Sequence, residues 1–326
     1  MNRKGLVILV LLVSAVAWAE AATAPVPSLT IPDLLSAGRV DEALQALNLR
    51  LKSSPNDAEA FSLMARSYYA LRHWDQAIAA AQKAVALAPN NSGYHLLLGR
   101  AYAEKADRSN FMVAAGLAGK IRQEFERAVE LDARNINARS DLAEFYLEAP
   151  SFMGGGKGKA RQQVQAIAAS DAAAAHWLQA RIAEKEKRYA DAEKEYRAAI
   201  ETSHQRGSYW LNLASFYRRM GRLADMENAV TQATQSSNKA SNVFVDAAQL
   251  LFNSGRNLPG AVGFLRKYLA SGPPVEDAPA FQAHYLLGKI LEKQGDKRGA
   301  VAEYQAALTL ARDYDDARAA LDRLKR

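Results

Sequence analysis

The sequence predicts an all-α chain, a solenoid of about seven to eight helix–turn–helix repeats ended by a C-terminal capping helix. Three observations predict it. Apolar residues recur at helical spacing, as in Phe61, Met64, Ala65 and Tyr68. The same order of large, small and turn-forming residues returns about every 34 residues. Hydrophobic residues make up 49% of the 326-residue chain and lean on Ala, which costs least in a helix.

The N-terminus stands apart from this pattern. Asn2, Arg3 and Lys4 form a short positive region, and Gly5 to Val16 is an apolar run broken only by Ser14. Ala17-Trp18-Ala19 follows with the small-x-small order read by a signal peptidase. The expectation is a signal peptide over 1–19, cleaved after Ala19, with Ala21 or Ala22 as alternatives and a retained anchor as the competing reading. The run of about 12 residues is shorter than a bilayer span requires, so no membrane span is expected after cleavage. Residues 20–30, rich in Ala and Pro, read as a flexible mature N-terminus. A leader on a Cys-free chain suits a Gram-negative envelope, so the expected location is periplasmic or secreted.

Repeats are expected near 31–57, 58–91, 92–135, 136–172, 173–206, 207–240, 241–275 and 281–314, with a solvating cap over 315–326. The first is degenerate, marked by Gly38, Ala43, Leu47 and Pro55. The second carries Phe61, Tyr68, Ala77, Ala81, Ala84 and Pro89. His95, Leu98, Gly99, Tyr102, Phe125 and Ala128 mark the third, and Leu142, Ala143 and Tyr146 the fourth. Ala192, Tyr196 and Ala199 fall in the fifth, and Trp210, Leu213, Ala214, Tyr217 and Gly221 in the sixth. Phe244, Ala247, Leu251 and Gly255 open the seventh. The last is the best preserved, with His284, Leu287, Gly288, Leu291, Gly295, Ala300, Tyr304 and Ala307. Small residues such as Gly99, Ala77 and Gly288 let paired helices approach closely. Large ones such as Phe61, Tyr68 and Tyr304 fill the space between hairpins. Gly38, Gly221, Gly255 and Gly295 sit where the first helix of a hairpin ends and a positive φ is favoured.

This pattern resembles the tetratricopeptide repeat, and the chain is similar to exported bacterial members of that family. The resemblance implies a right-handed superhelix whose inner wall, formed by the first helix of each hairpin, holds peptides. It implies a protein–protein interaction scaffold or adaptor in the cell envelope. A structural assembly component of outer-membrane or polysaccharide machinery is the alternative. Projecting the repeat onto those helices puts Arg66, Arg100, Glu144, Arg181, Ser215, Gln249 and Lys289 at one inward position. Four of these are basic, which suggests proteins or peptides with acidic side chains, or a C-terminal carboxylate, as partners. The Lys, Asn and Arg set of the family's carboxylate clamp is not found.

Two units carry extra length: about 10 residues between Tyr102 and Ile121, and about 5 between Tyr146 and Ala160. Both are expected in the turn within a hairpin, side by side on one edge. Phe111 and Met112 in the first, and Phe152 and Met153 in the second, either bury each other or form a partner-binding patch.

Other chemistry is not indicated. The net charge of +7 is modest, and no basic block interleaves with aromatics, so nucleic acid is not expected. The absence of Cys excludes disulfides and thiolate chemistry. Of the five His, His95, His176 and His284 occupy the repeat's large-residue position and are explained by packing. Gly154 to Lys159 misses a phosphate loop, because Met153 and Ala160 stand where Gly and Ser or Thr belong. No catalytic, cofactor or metal set emerges, and an enzyme is the least favoured class.

Overall fold

The computed structural model describes residues 29–237, 242–271, 275 and 278–325. The expected signal peptide and most of the expected flexible segment lie outside the described residues. Met1–Thr30 forms one unit, of which only Leu29 and Thr30 are described, and Ile31–Arg326 forms the other.

Among the described residues the second unit is helical throughout, with no strand. Its helices pair in sequence order: α1 (Ile31–Ser36) with α2 (Val40–Ser53), α3 (Ala58–Ala70) with α4 (Trp74–Leu87), and α5 (Ser92–Asp107) with α6 (Phe111–Leu131). There follow α7 (Ile136–Glu148) with α8 (Lys157–Ala168), α9 (Ala172–Lys185) with α10 (Tyr189–Thr202), and α11 (Gly207–Arg219) with α12 (Leu223–Gln235). The array ends in α13 (Val243–Ser254) with α14 (Leu258–Ala270), α15 (Ala280–Lys293) with α16 (Lys297–Leu310), and α17 (Asp315–Lys325). Each hairpin packs on the next, the arrangement expected of a helical solenoid.

Local chemistry sets the boundaries. Asp57, Asn91, Asn135 and Asp171 cap four successive first helices, each side chain accepting the backbone N–H three residues on, at 2.9–3.2 Å. Such caps satisfy amides that the helix itself leaves unpaired. Gly38, Gly221, Gly255 and Gly295 reverse the chain with φ between +68° and +87°. Arg72 (φ +62°) and Lys187 (φ +60°) hold the same turn without glycine, at a cost of about 1–2 kcal/mol each. Close approach explains two glycines within helices. A Cβ on Gly99 would stand 2.6 Å from the Phe125 ring, and one on Gly288 would stand 2.5 Å from the Tyr304 ring.

The extra length is placed differently from expectation. Between Tyr102 and Ile121 it is absorbed into α5 and α6, which run 16 and 21 residues, leaving only a short turn at Arg108–Asn110. Residues 103–120 are rich in Ala with Lys, Glu and Leu, so helix propagates through them. Asn110 then caps α6 by accepting from the Val113 N–H at 3.1 Å. The second insertion does stay outside the helices, as a short 3-10 turn over Ser151–Met153. That turn packs on the middle of α6, with Gly154 against the Arg122 side chain.

The ends of the array meet. Val40 and Leu71 pack in one buried cluster with Phe281, Ala307, Ala311, Tyr314 and Ala317. Gln282 Nε2 donates to the Ala70 carbonyl at 2.7 Å, and Arg72 Nη1 donates to Asp316 Oδ2 at 2.9 Å. The Arg312 backbone N–H donates to Asp41 Oδ2 at 3.0 Å. His73 faces Asp315 at 3.3 Å. Helix α17 is therefore more than a solvating cap: Ala317, Ala320 and Leu321 are buried, and two of its acids reach residues beside α3.

Candidate functional site on the inner wall

The first helices α3, α5 and α7 wall a cavity of 1390 Å³, bounded on a further side by Pro279 and Gln282. Aromatic side chains give it apolar surface. Tyr69 meets Trp74 edge-on at 5.3 Å, and the Arg108 guanidinium lies 5.3 Å over the Trp74 ring. Burial, with Glu104 nearby, pushes the Tyr69 phenol up to about 12. Tyr94, Phe145, Leu97 and Phe125 add to the apolar lining.

Of the inward positions read from the sequence, Arg66, Arg100 and Glu144 line this cavity. They do not form a bare basic stripe. Arg100 Nε donates to Asp141 Oδ2 at 2.5 Å. Arg181 Nε donates to Glu144 Oε1 at 2.8 Å, and its Nη2 donates to Glu148 Oε1 at 2.9 Å. Lys185 Nζ donates to Glu148 Oε2 at 2.5 Å, and Arg219 Nη2 donates to Glu184 Oε2 at 2.9 Å. Burial opposes the Arg181 charge, but Glu144 and Glu148 hold its pKa above the usual arginine value. The row is thus a ladder of ion pairs between neighbouring first helices. Acids at Asp141 and Glu148, outside the projected position, supply the balance, so the wall's basicity no longer argues for an acidic partner.

Further along, Gln249 Nε2 donates to Asn253 Oδ1 at 2.7 Å. Lys289 Nζ lies 4.9 Å over the Phe252 ring and 5.4 Å over that of Tyr285. Burial, with Arg72 nearby, pushes the Lys289 pKa down.

The insertion residues are not brought together. Phe111 is 64% exposed, and Met112 and Phe152 are each 78% exposed. Met153 is half-buried. The 3-10 turn meets α6 near Arg122, but Phe111, Met112 and Phe152 are not buried against one another.

The three histidines in large-residue positions do more than pack. Nδ1 of His95 lies 2.6 Å from Glu124, that of His176 2.7 Å from Glu195, and that of His284 2.6 Å from Glu303. Each pair ties the two helices of one hairpin together. The signal was present in the sequence: in all three hairpins the Glu directly precedes the large aromatic of the second helix (Phe125, Tyr196, Tyr304). Among the described residues no cluster of three or more such side chains is arranged to hold a metal ion. Nor, among them, is any helix long and apolar enough to cross a membrane.

Glu193 is held well below the usual carboxylate range. Burial works against its charge, yet hydrogen bonds from Tyr217 (2.6 Å), Arg222 (2.5 Å) and Arg197 (3.0 Å) hold its pKa down at about 2. A depressed carboxylate stabilises the fold above its ordinary value near 4.5, and that contribution fades as pH falls towards 2. We expect Glu193→Gln to cost about 1–2 kcal/mol at neutral pH, after allowing for solvent screening, and only a small part of that at pH 2. Urea unfolding at both pH values measures the difference, and an equal loss at both would disprove it.

Sequence models of the tetratricopeptide repeat match residues 34–101, 154–208 and 281–314. No curated protein matches the chain. Among solved structures, yeast Tom70 superposes with a TM-score of 0.52 at 16% identity, over 88% of this chain and 58% of its own. The chain therefore spans well under two thirds of Tom70. A tetratricopeptide repeat protein from Parabacteroides merdae gives 0.42 at 15% identity, over 82% of this chain and 99% of its own. PilW, a type IV pilus biogenesis factor, gives 0.45 at 15% identity, over 63% and 93%. Capped hairpins stacked in sequence, the reversing turn recurring from Gly38 to Gly295 and the three matched segments agree: the chain belongs to the tetratricopeptide repeat family.

Proposed function

We propose that the chain is a protein-interaction scaffold of the cell envelope that holds an extended polypeptide segment against the wall of α3, α5 and α7. The tetratricopeptide repeat fold generally serves protein–protein interaction and is typically non-catalytic, and we read no enzymatic role here. The observation that carries the proposal is the 1390 Å³ cavity, with aromatic surface and side chains already paired in charge. An uncompensated wall would select an acidic ligand. A charge-balanced wall with half-buried rings suits a segment of mixed composition that contributes one or two apolar side chains. The envelope location rests on the leader read over 1–19.

Exposure of Phe111, Met112 and Phe152 favours a second reading, in which an assembly partner docks on the outside and the chain is a structural component of an envelope complex. One preparation tests both. The full-length chain, expressed with its leader in a Gram-negative host, is expected in the periplasmic extract with Glu20 as its first residue. That protein is then used to select binders from a phage-displayed library of random dodecapeptides. Tyr94→Ser is expected to weaken the selected peptides at least tenfold with an unchanged melting curve, and Phe111→Ser with Phe152→Ser to leave them unaffected. Binding insensitive to Tyr94 but lost in the double variant would replace the first reading by the second.

A further inference from the structure

We propose that the contact of the first two hairpins with the last hairpin and α17 is a latch, which opens to admit an extended polypeptide to the cavity and closes around it. This rests on the reading that the cavity holds such a segment. In a solenoid each hairpin contacts only its neighbours. The seam is the exception, so it can part while every neighbour interface stays intact. Several of its side chains, Leu71, Arg72, Arg312 and Tyr314 among them, come from the turns after α3 and α16 rather than from paired helices, and its backbone approaches closely where Gly38 faces Ala280 and Phe281. A small rotation shared among the neighbour interfaces separates the ends without breaking any of them.

The seam's chemistry suits reversible closure. Each of its ion pairs keeps at least one partner in solvent: Arg72 and Asp316 at 38% and 41%, Arg312 at 80% against Asp41 at 18%. Exposed pairs contribute little and are screened by salt. Its apolar part buries the Tyr314 ring, whose hydroxyl has no protein partner. Closing therefore strips water from a polar group, and opening restores it, which offsets part of the gain from burying Val40, Leu71 and Phe281. Finally, the seam is part of the cavity. Ala70, Arg72, Pro279 and Gln282 line it, and the Gln282 to Ala70 hydrogen bond spans the gap between α15 and the end of α3. Parting the seam widens the cavity on that side.

The chain has no Cys, so a pair can be introduced cleanly. Asp41 reaches the backbone amide of Arg312 at 3.0 Å, which places residues 41 and 312 side by side. The variant Asp41→Cys with Arg312→Cys takes two measurements, and Arg72→Cys with Asp316→Cys provides a second pair should the first misfold. Spin labels on the pair, read by pulsed electron double resonance, are expected to show a short and a long distance, the long one growing with salt. Cross-linking the pair with a short bismaleimide is expected to slow capture of the selected dodecapeptides at least tenfold relative to the uncross-linked variant. A single short distance at every salt concentration overturns the latch. So does equal capture by locked and unlocked protein, provided binders exist. A library that yields no binder overturns the cavity reading instead.

Discussion

Arg181→Glu is expected to destabilise the middle of the array by about 3–5 kcal/mol. The substitution places a carboxylate among Glu144, Glu148 and Glu184, each of which now lies within ion-pair distance of the guanidinium. Arg181 and Glu184 are well shielded, with side chains 19% and 10% exposed, so solvent screens the new repulsion poorly. Arg181→Met is expected to cost less, about 2 kcal/mol, because Arg219 still holds Glu184. Chemical denaturation of both variants measures the difference. Equal stability of wild type and Arg181→Glu would show that the ladder is not formed in solution. The result bears on function as well. Charge reversal along this row looks from the sequence like a direct test of ligand binding, but here it would report on folding. Tyr94, which lines the cavity and takes no part in the ladder of ion pairs, is the position at which binding can be separated from stability.

Gly288→Val is expected to cost about 3 kcal/mol, at the upper end for overpacking. A Cβ at this position would stand 2.5 Å and 2.7 Å from two carbons of the Tyr304 ring. The ring cannot retreat. It is fully buried, its hydroxyl donates to Glu292 at 2.8 Å, and Tyr285 leans on it with ring centres 5.9 Å apart. Helices α15 and α16 must therefore separate, opening the core beside the seam. Gly119→Ala on α6 is the control. Nothing lies within 4 Å of a Cβ there, so the gain in helix propensity, about 0.8–1 kcal/mol, is expected to appear as added stability. Thermal melts of the two variants should move in opposite directions.

Both predictions divide what was legible from what was not. Gly288 is readable because its constraint is local to one hairpin and recurs with the repeat, as do the turn glycines and the large aromatics. Arg181 was read as one of a row of inward-facing basic residues, and the structure pairs it with Glu144, Glu148 and Glu184. Its partners, Glu144 and Glu148, stand more than 30 residues away on the preceding first helix. A single-position projection counts one residue per repeat and so misses the acid one turn further along the neighbouring helix. The insertion over 103–120 was read as a protrusion because it breaks the repeat length. Its residues nonetheless favour helix, and length alone does not say whether extra residues extend an element or interrupt it.

The sequence by itself determined the helices, their pairing and the family, because hairpin formation depends on contacts close in sequence and on turn chemistry repeated at fixed spacing. Only the tertiary structure decided that Val40 and Leu71 lie against Phe281 and Tyr314, and that Arg72 reaches Asp316. Whether the ends of a solenoid meet depends on small rotations summed over every hairpin interface, and no single repeat encodes that sum. The cavity, its charge balance and the seam beside it are products of that accumulated geometry.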